Sequence, residues 1–214
     1  WKLPTVMQAE GAGTWPKPPF AGGELWLWGK NQFGQLGQGT SSGTTYSSPV
    51  QVGALTNWLK LAGSQYYATT SIKSDGTLWT WGSGSGGQLG NGSTTNISSP
   101  VQVGALTDWD ETSAGYNHTV ALKTDGTLWA WGSGYQGGLG DGTTTNRSSP
   151  VQIGALTTWL QVAGGYAYSA AVKTDGTLWM WGQAGHGQLG QGNTTDYSSP
   201  VQVGALTDWL EVAV

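Results

Sequence analysis

The pair Trp-Gly recurs at Trp81-Gly82, Trp131-Gly132 and Trp181-Gly182, a spacing of 50 residues, and a fourth copy, Trp28-Gly29, lies 53 residues before Trp81. Self-similarity at a fixed period of this size restricts a chain to arrays in which one supersecondary unit stacks on copies of itself. The surrounding text repeats as SDGTLWTWG (74–82), TDGTLWAWG (124–132) and TDGTLWMWG (174–182), with GGELWLWG (22–29) as the first copy. Gly-x-Leu-Gly follows each copy, then a polar stretch, then SSPVQ[VI]GALT and a tryptophan.

Each unit divides into four strand-like pieces bounded by turn residues. In the last full unit these are strand A over 159–163 (WLQVA), B over 169–173 (SAAVK), C over 178–181 (LWMW) and D over 200–203 (PVQV). The Asp-Gly between B and C is a hairpin signal, because glycine accepts the positive φ of a tight turn. Proline opens strand D, where a missing N–H is tolerated. No stretch carries sustained helical periodicity. The expected fold is all-β: a β-propeller of four ~50-residue, four-stranded blades. In strand C two tryptophans at i and i+2 share a face, so Trp26, Trp28, Trp79, Trp81, Trp129, Trp131, Trp179 and Trp181 are read as structural core between blades. A sugar-binding ladder is the competing reading of the same residues, disfavoured by their apolar neighbours within the strands.

The ends of the repeat leave two readings open. Residues 209–214 (WLEVAV) form a strand A with no B after it, and residues 5–11 (TVMQAEG) resemble AAVKTDG at 170–176. On one reading, residues 1–23 are a degenerate strand plus a Pro/Gly-rich insertion, and pairing of the N- and C-terminal strands closes the ring and hides sheet edges. On the other, residues 1–23 are a flexible arm. In both, residues 24–214 are the four-unit repeat domain.

Composition narrows the chemistry. Charged residues are only 9%, the formal net charge is −4, and 37 glycines accompany 14 tryptophans, whose area is favourable only when packed. Without a Lys/Arg cluster, no nucleic-acid footprint is expected. Without a long apolar run, no membrane insertion is expected, and no signal peptide is visible. Cysteine is absent, so disulfides, thiol chemistry and Cys-based zinc sites are excluded. His118 and His186 fall in different units, and Asp75, Asp125 and Asp175 each sit in an Asp-Gly turn, where the carboxylate caps its own backbone. No catalytic group, metal site or cofactor is therefore expected, and the chain is read as a non-enzyme.

Antiparallel strands put the A–B and C–D loops on one face and the B–C and D–A loops on the other. The second face is nearly constant among the units, as in GALTNW, GALTDW, GALTTW and GALTDW. The first varies and is rich in tyrosine. Because Tyr and Arg are favoured at interface hot spots, partner binding is assigned to Phe33, Tyr46, Tyr66, Tyr116, Tyr135, Arg147, Tyr166, His186 and Tyr197. Tyr67, His118 and Tyr168 are read as equivalent positions with a structural role.

The motifs GYNHTVAL (115–122), DGTLWxWG and GQLG followed by a polar loop and PVQVG resemble the repeats of the regulator-of-chromosome-condensation family over residues 24–214. The wording DGTLW and SSPVQVG looks most like bacterial and bacteriophage members. The resemblance implies a β-propeller, usually of seven blades, whereas four units are present here. It does not imply one function. Relatives include a nuclear exchange factor, a plant ultraviolet receptor and a secreted bacterial β-lactamase inhibitor. The receptor's Trp-Arg pair before the histidine is replaced here by Tyr116-Asn117 and Tyr166-Ala167. The expected role is a non-enzymatic binding module, virion-associated or secreted, that takes a protein partner or a cell-surface glycan, with self-association kept open. A regulator of a globular protein partner, of inhibitor or exchange-factor type, and a lectin are the alternatives.

Overall fold

The computed structural model describes residues 22–64 and 67–214. Unit 1 contributes β1 (Trp26–Lys30) and β2 (Thr45–Gln51). Unit 2 contributes β3 (Trp58–Gly63), β4 (Ala68–Lys73), β5 (Leu78–Gly82) and β6 (Ile97–Gln102). Unit 3 contributes β7 (Trp109–Ala114), β8 (His118–Lys123), β9 (Leu128–Gly132) and β10 (Arg147–Gln152). Unit 4 contributes β11 (Trp159–Gly164), β12 (Tyr168–Lys173), β13 (Leu178–Gly182) and β14 (Tyr197–Gln202). Units 2 to 4 are four-stranded antiparallel sheets in sequential order, and unit 1 shows the C–D hairpin alone among the described residues.

The DGTLW motif builds the B–C hairpin as one hydrogen-bonded block. Asp125 Oδ1 accepts from the Thr127 N–H at 3.0 Å and from Thr127 Oγ1 at 2.6 Å, and Trp129 Nε1 donates to Thr127 Oγ1 at 2.9 Å. Gly126 takes φ +76° in this turn, and a Cβ there would collide with the Thr157 carbonyl of the D–A loop. The Trp159 N–H then donates to the Gly126 carbonyl at 3.2 Å. The constant loops are therefore packed on each other, which gives a physical reason for their constancy.

Strand D starts earlier than its proline. Arg147 pairs with Gly132 and Val151 with Ala130, with a register shift between them across Ser-Ser-Pro. Proline cannot supply a ladder N–H, and the irregularity absorbs it.

The core lies between blades. Ile72, Leu78 and Val103 of unit 2 receive Trp109, Ala121 and Trp131 of unit 3, with Trp129 at the margin. Trp81, Trp131 and Trp181 have no exposed surface, and each packs against the preceding unit. In unit 3 the strand A tryptophan meets both strand C tryptophans edge-on: Trp109 lies 6.0 Å from Trp129 and 5.8 Å from Trp131. The β-strand lysine between them is covered as well, with Lys123 Nζ 4.4 Å from the Trp129 ring centre.

Two expectations are corrected. Trp26 and Trp28 are 39% and 60% exposed rather than core, because no described unit precedes unit 1 to receive them. Residues 209–214 do not form a strand, because no described strand B pairs with them. They nevertheless repeat strand A contacts: the Trp209 N–H donates to Gly176 O at 3.1 Å, as Trp159 does to Gly126 O, and the Val212 N–H donates to Gln161 Oε1 at 2.6 Å. The reading of residues 5–11 as a strand B lies outside the described residues.

Candidate partner-binding face

The strand A segments of neighbouring units touch one another, which places them innermost and the D strands outermost. The A–B loops and the first residues of the C–D loops therefore form an inner rim on one face. Here Tyr116 and Tyr166, from the A–B loops of units 3 and 4, lie against each other with ring centres 4.4 Å apart. Their loops are joined by the Tyr116 N–H donating to Gly165 O at 2.9 Å. Tyr166 remains 52% exposed and Tyr135 60% exposed. Tyr135 opens a short 3-10 turn, Tyr135–Gly137, in the unit 3 C–D loop.

A second aromatic pair joins units 1 and 2. Phe33 lies 5.1 Å from Tyr67, whose ring also carries the Lys30 ammonium at 4.9 Å. Lys30 Nζ donates to the Tyr67 hydroxyl at 3.1 Å. Tyr67 holds φ +64°, a conformation rare for a side-chain-bearing residue. Lys30 and Tyr67 were not among the expected binding residues; the departure of YY from the GY pattern of the other A–B loops was the available signal.

The remaining expected residues are spread more widely. His186 is exposed in the unit 4 C–D loop, its N–H donating to Gln188 Oε1 at 2.8 Å. Tyr46, Arg147 and Tyr197 belong to the starts of the D strands, each opposite the glycine of a Trp-Gly pair, and sit half-buried at the outer edge. Arg147 is engaged within its own unit: Nε and Nη2 donate to Asp141 Oδ2 at 2.9 Å and 2.8 Å. Burial pushes the Asp141 carboxyl up, but hydrogen bonds from Thr143 and Arg147 outweigh it and hold the group below its usual range. Asn193 Nδ2 donates to the Tyr197 hydroxyl at 3.2 Å. Tyr66 lies outside the described residues.

The proposed equivalence of Tyr67 with His118 and Tyr168 is off by one residue. Ala68, His118 and Tyr168 are the residues opposite Gly82, Gly132 and Gly182. His118 is fully enclosed, its Nε2 2.8 Å from Ser169 Oγ of the next unit, and Ser169 Oγ donates to Gly138 O at 2.9 Å. Burial lowers its pKa to about 4, so the imidazole is neutral near pH 7 and serves as a clasp between units.

Strand A carries a further polar series along the inner side, at Lys60, Glu111, Gln161 and Glu211, in which only this position varies so sharply in charge. Lys60 Nζ meets Asp110 Oδ1 at 2.9 Å. Glu111 accepts from the Val162 backbone, and burial raises its pKa to about 7 against the pull of Lys60. Among the described residues no group of three or more His, Cys, Asp or Glu side chains converges.

Four stacked repeats with inter-blade tryptophans define a propeller-type array. The chain belongs to the regulator of chromosome condensation (RCC1) repeat family, whose model matches residues 22–69, 75–122, 125–172 and 175–214. Among curated proteins, the human E3 ubiquitin-protein ligase HERC2 is 34% identical over 94 residues, covering 42% of this chain and 2% of that one. The Arabidopsis thaliana mitochondrial RCC1 domain-containing protein RUG3 is 33% identical over 86 residues, covering 40% and 19%. The structure of human WBSCR16 superposes with a TM-score of 0.77 at 25% identity, over 89% of this chain and 51% of that one. Prp20p of Saccharomyces cerevisiae, described with its binding to Gsp1p and histones, superposes with a TM-score of 0.74 at 22% identity, over 86% and 47%. The chain thus spans about half the length of these solved relatives and a small part of the curated ones.

Proposed function

We propose that the chain is a non-enzymatic interaction module that engages a globular protein partner, in the manner of a regulator, through the inner aromatic rim. The observation that carries this reading is the Tyr116–Tyr166 ring contact, with exposed Tyr135 in a C–D loop and the Phe33–Tyr67–Lys30 group on the same face. Rigid aromatic groups give large contact area at small entropic cost. The opposite face offers loops already occupied in packing on each other. Prp20p, a protein of similar fold, is described with protein partners, and this supports a protein ligand over a virion or secreted adhesion role. The D-strand residues Arg147 and Tyr197 contribute less, since their polar atoms are engaged within their own units.

The test is parallel probing of a protein microarray and a glycan array with the labelled chain. The expected result is protein binding that falls at least tenfold in the Tyr116→Ala/Tyr166→Ala double variant and is unchanged in Leu156→Ala on the constant face. Binding to glycans alone, or a protein ligand indifferent to the double variant, would overturn it.

A further inference from the structure

Three of the four C–D loops are closed by one glutamine. In the GQLG of units 1, 2 and 4 its side chain turns back and accepts the backbone N–H two residues before it. Gln35 Oε1 accepts from Phe33 at 2.9 Å, Gln88 Oε1 from Gly86 at 2.7 Å and Gln188 Oε1 from His186 at 2.8 Å. Unit 3 reads GGLG, with Gly138 in the glutamine's place. Gln136, the counterpart of Phe33, Gly86 and His186, therefore has no glutamine to cap its N–H.

The uncapped loop takes a different shape. Gln136 holds φ +53° and ψ +22° within the Tyr135–Gly137 turn, and among the described non-glycine residues only Tyr67 shares a positive φ. That backbone is strained for a residue with a side chain. Gln136 Oε1 is enclosed and has no hydrogen-bond partner among the described residues, and the same holds for Asn117 Oδ1. An enclosed amide oxygen left without a partner destabilises the fold. Each of the two amides directly follows a rim tyrosine, Tyr135 or Tyr116, and the Ser133 N–H joins their loops by donating to Asn117 O at 2.8 Å. The unit 3 loop also runs close to the next unit: a Cβ on Gly138 would lie 3.0 Å from the carbonyl of Ala167, the residue after Tyr166. Unit 3 thus lacks a cap that the other units keep, and it lacks it beside the tyrosines of the rim.

We propose that the C–D loop of unit 3 is the specificity-determining element of the rim, and that Gln136 leaves its enclosed position on binding to pair its carboxamide with the main chain of an extended segment of the protein partner. This rests on the reading of the inner rim as the binding face. A carboxamide carries an acceptor and two donors, the complement of a peptide group's C=O and N–H. Tyr135, 60% exposed, gives apolar contact next to it. Release of the strained backbone and of the unpartnered oxygen favours the bound form. The loops of units 1, 2 and 4 lack this advantage, because their glutamine oxygens already hold the loop closed.

The test uses phage-displayed random linear peptides selected on the wild-type 214-residue chain, with the enriched peptides then synthesised and titrated by fluorescence anisotropy. Gln136→Gly/Gly138→Gln writes the unit 2 arrangement into unit 3 and keeps Tyr135. Gln136→Gly alone removes the strained side chain, and it serves where the added glutamine crowds Ala167. Both variants are expected to unfold at higher urea concentration than wild type, yet to bind the enriched peptides at least about tenfold more weakly. Methylating the peptide nitrogen that meets Gln136 should weaken binding to wild type by a similar factor and leave binding to Gln136→Gly unchanged. A wild type that enriches no peptide overturns the proposal, as do variants less stable than wild type. Tyr116→Ala/Tyr166→Ala separates this inference from the reading of the rim. Peptides lost by that double variant but kept by the loop variants leave the rim standing and overturn the role of Gln136. Peptides lost by the loop variants alone keep Gln136 and overturn the rim.

Discussion

At the residue scale, half-buried Glu111 and fully buried His118 act on stability in opposite senses. Burial raises Glu111 from 4.5 to about 7, so the folded state holds this proton more tightly than the unfolded chain does. Its contribution is full below pH 4.5 and is lost as pH rises through about 7. Burial lowers His118 from 6.5 to about 4, so the unfolded chain takes up the proton first, and the fold loses stability as pH falls from 6.5 toward 4. Gln161, one unit further on, occupies the Glu111 position as a neutral side chain and accepts from Val212 N–H. Glu111→Gln is therefore expected to be more stable than wild type at pH 8, by about 1 kcal/mol once solvent screening of a partly exposed group is allowed for. Urea unfolding at pH 5 and pH 8 checks this: the two proteins should converge toward pH 5, and the variant should lose stability monotonically with acid because only the His118 slope remains between pH 6.5 and 5.

At the scale of elements, the B–C turn shows what a local motif can and cannot say. DGT was legible as a hairpin because the bonds that shape it are local: Asp125 caps Thr127, Lys123 N–H donates to Thr127 O and Gly126 takes positive φ. The docking of that turn on the D–A loop 31 residues later was not legible, since the glycine needed for the turn is also the glycine needed for the close approach to Thr157. Gly154 separates the two requirements, having φ +65° with open space around it. Gly154→Ala is expected to cost about 1–2 kcal/mol, the price of the left-handed conformation alone. Gly126→Ala is expected to cost at least about 2 kcal/mol more, because the added methyl group must displace the Thr157 carbonyl or open the hairpin. Equilibrium unfolding of the two variants reads the difference directly. The variable face was legible for a related reason. Comparing units exposed where residues vary, but it could not tell a rim tyrosine such as Tyr166 from Arg147, whose partner Asp141 lies six residues away in the same loop.

At the scale of the whole molecule, core status depends on having a neighbour rather than on the motif. LWLWG, LWTWG, LWAWG and LWMWG are nearly the same string, yet Trp28 is largely exposed and Trp81, Trp131 and Trp181 are fully enclosed. Strand-level reading gave all four the same fate because it carries no information about whether a unit has a predecessor. An array of this kind is held by nearest-neighbour junctions, so its stability is close to a sum of unit and interface terms. Trp131 sits at the middle junction, packed with Ile72, Leu78 and Val103 of unit 2 and hydrogen-bonded to Gln88 O. Trp131→Ala is expected to cost about 3–5 kcal/mol. More tellingly, it should uncouple the halves. Hydrogen exchange of β3 to β6 and of β11 to β14, protected to a common level in wild type, should diverge in the variant, and a single unfolding transition should resolve into two. Trp28→Ala should cost less than about 1 kcal/mol and leave one transition. If Trp131→Ala instead lowered stability with the transition still single, coupling would run through the strand A contacts along the inner side, where Glu111 and Ser113 reach unit 4 at Val162 and Gly164.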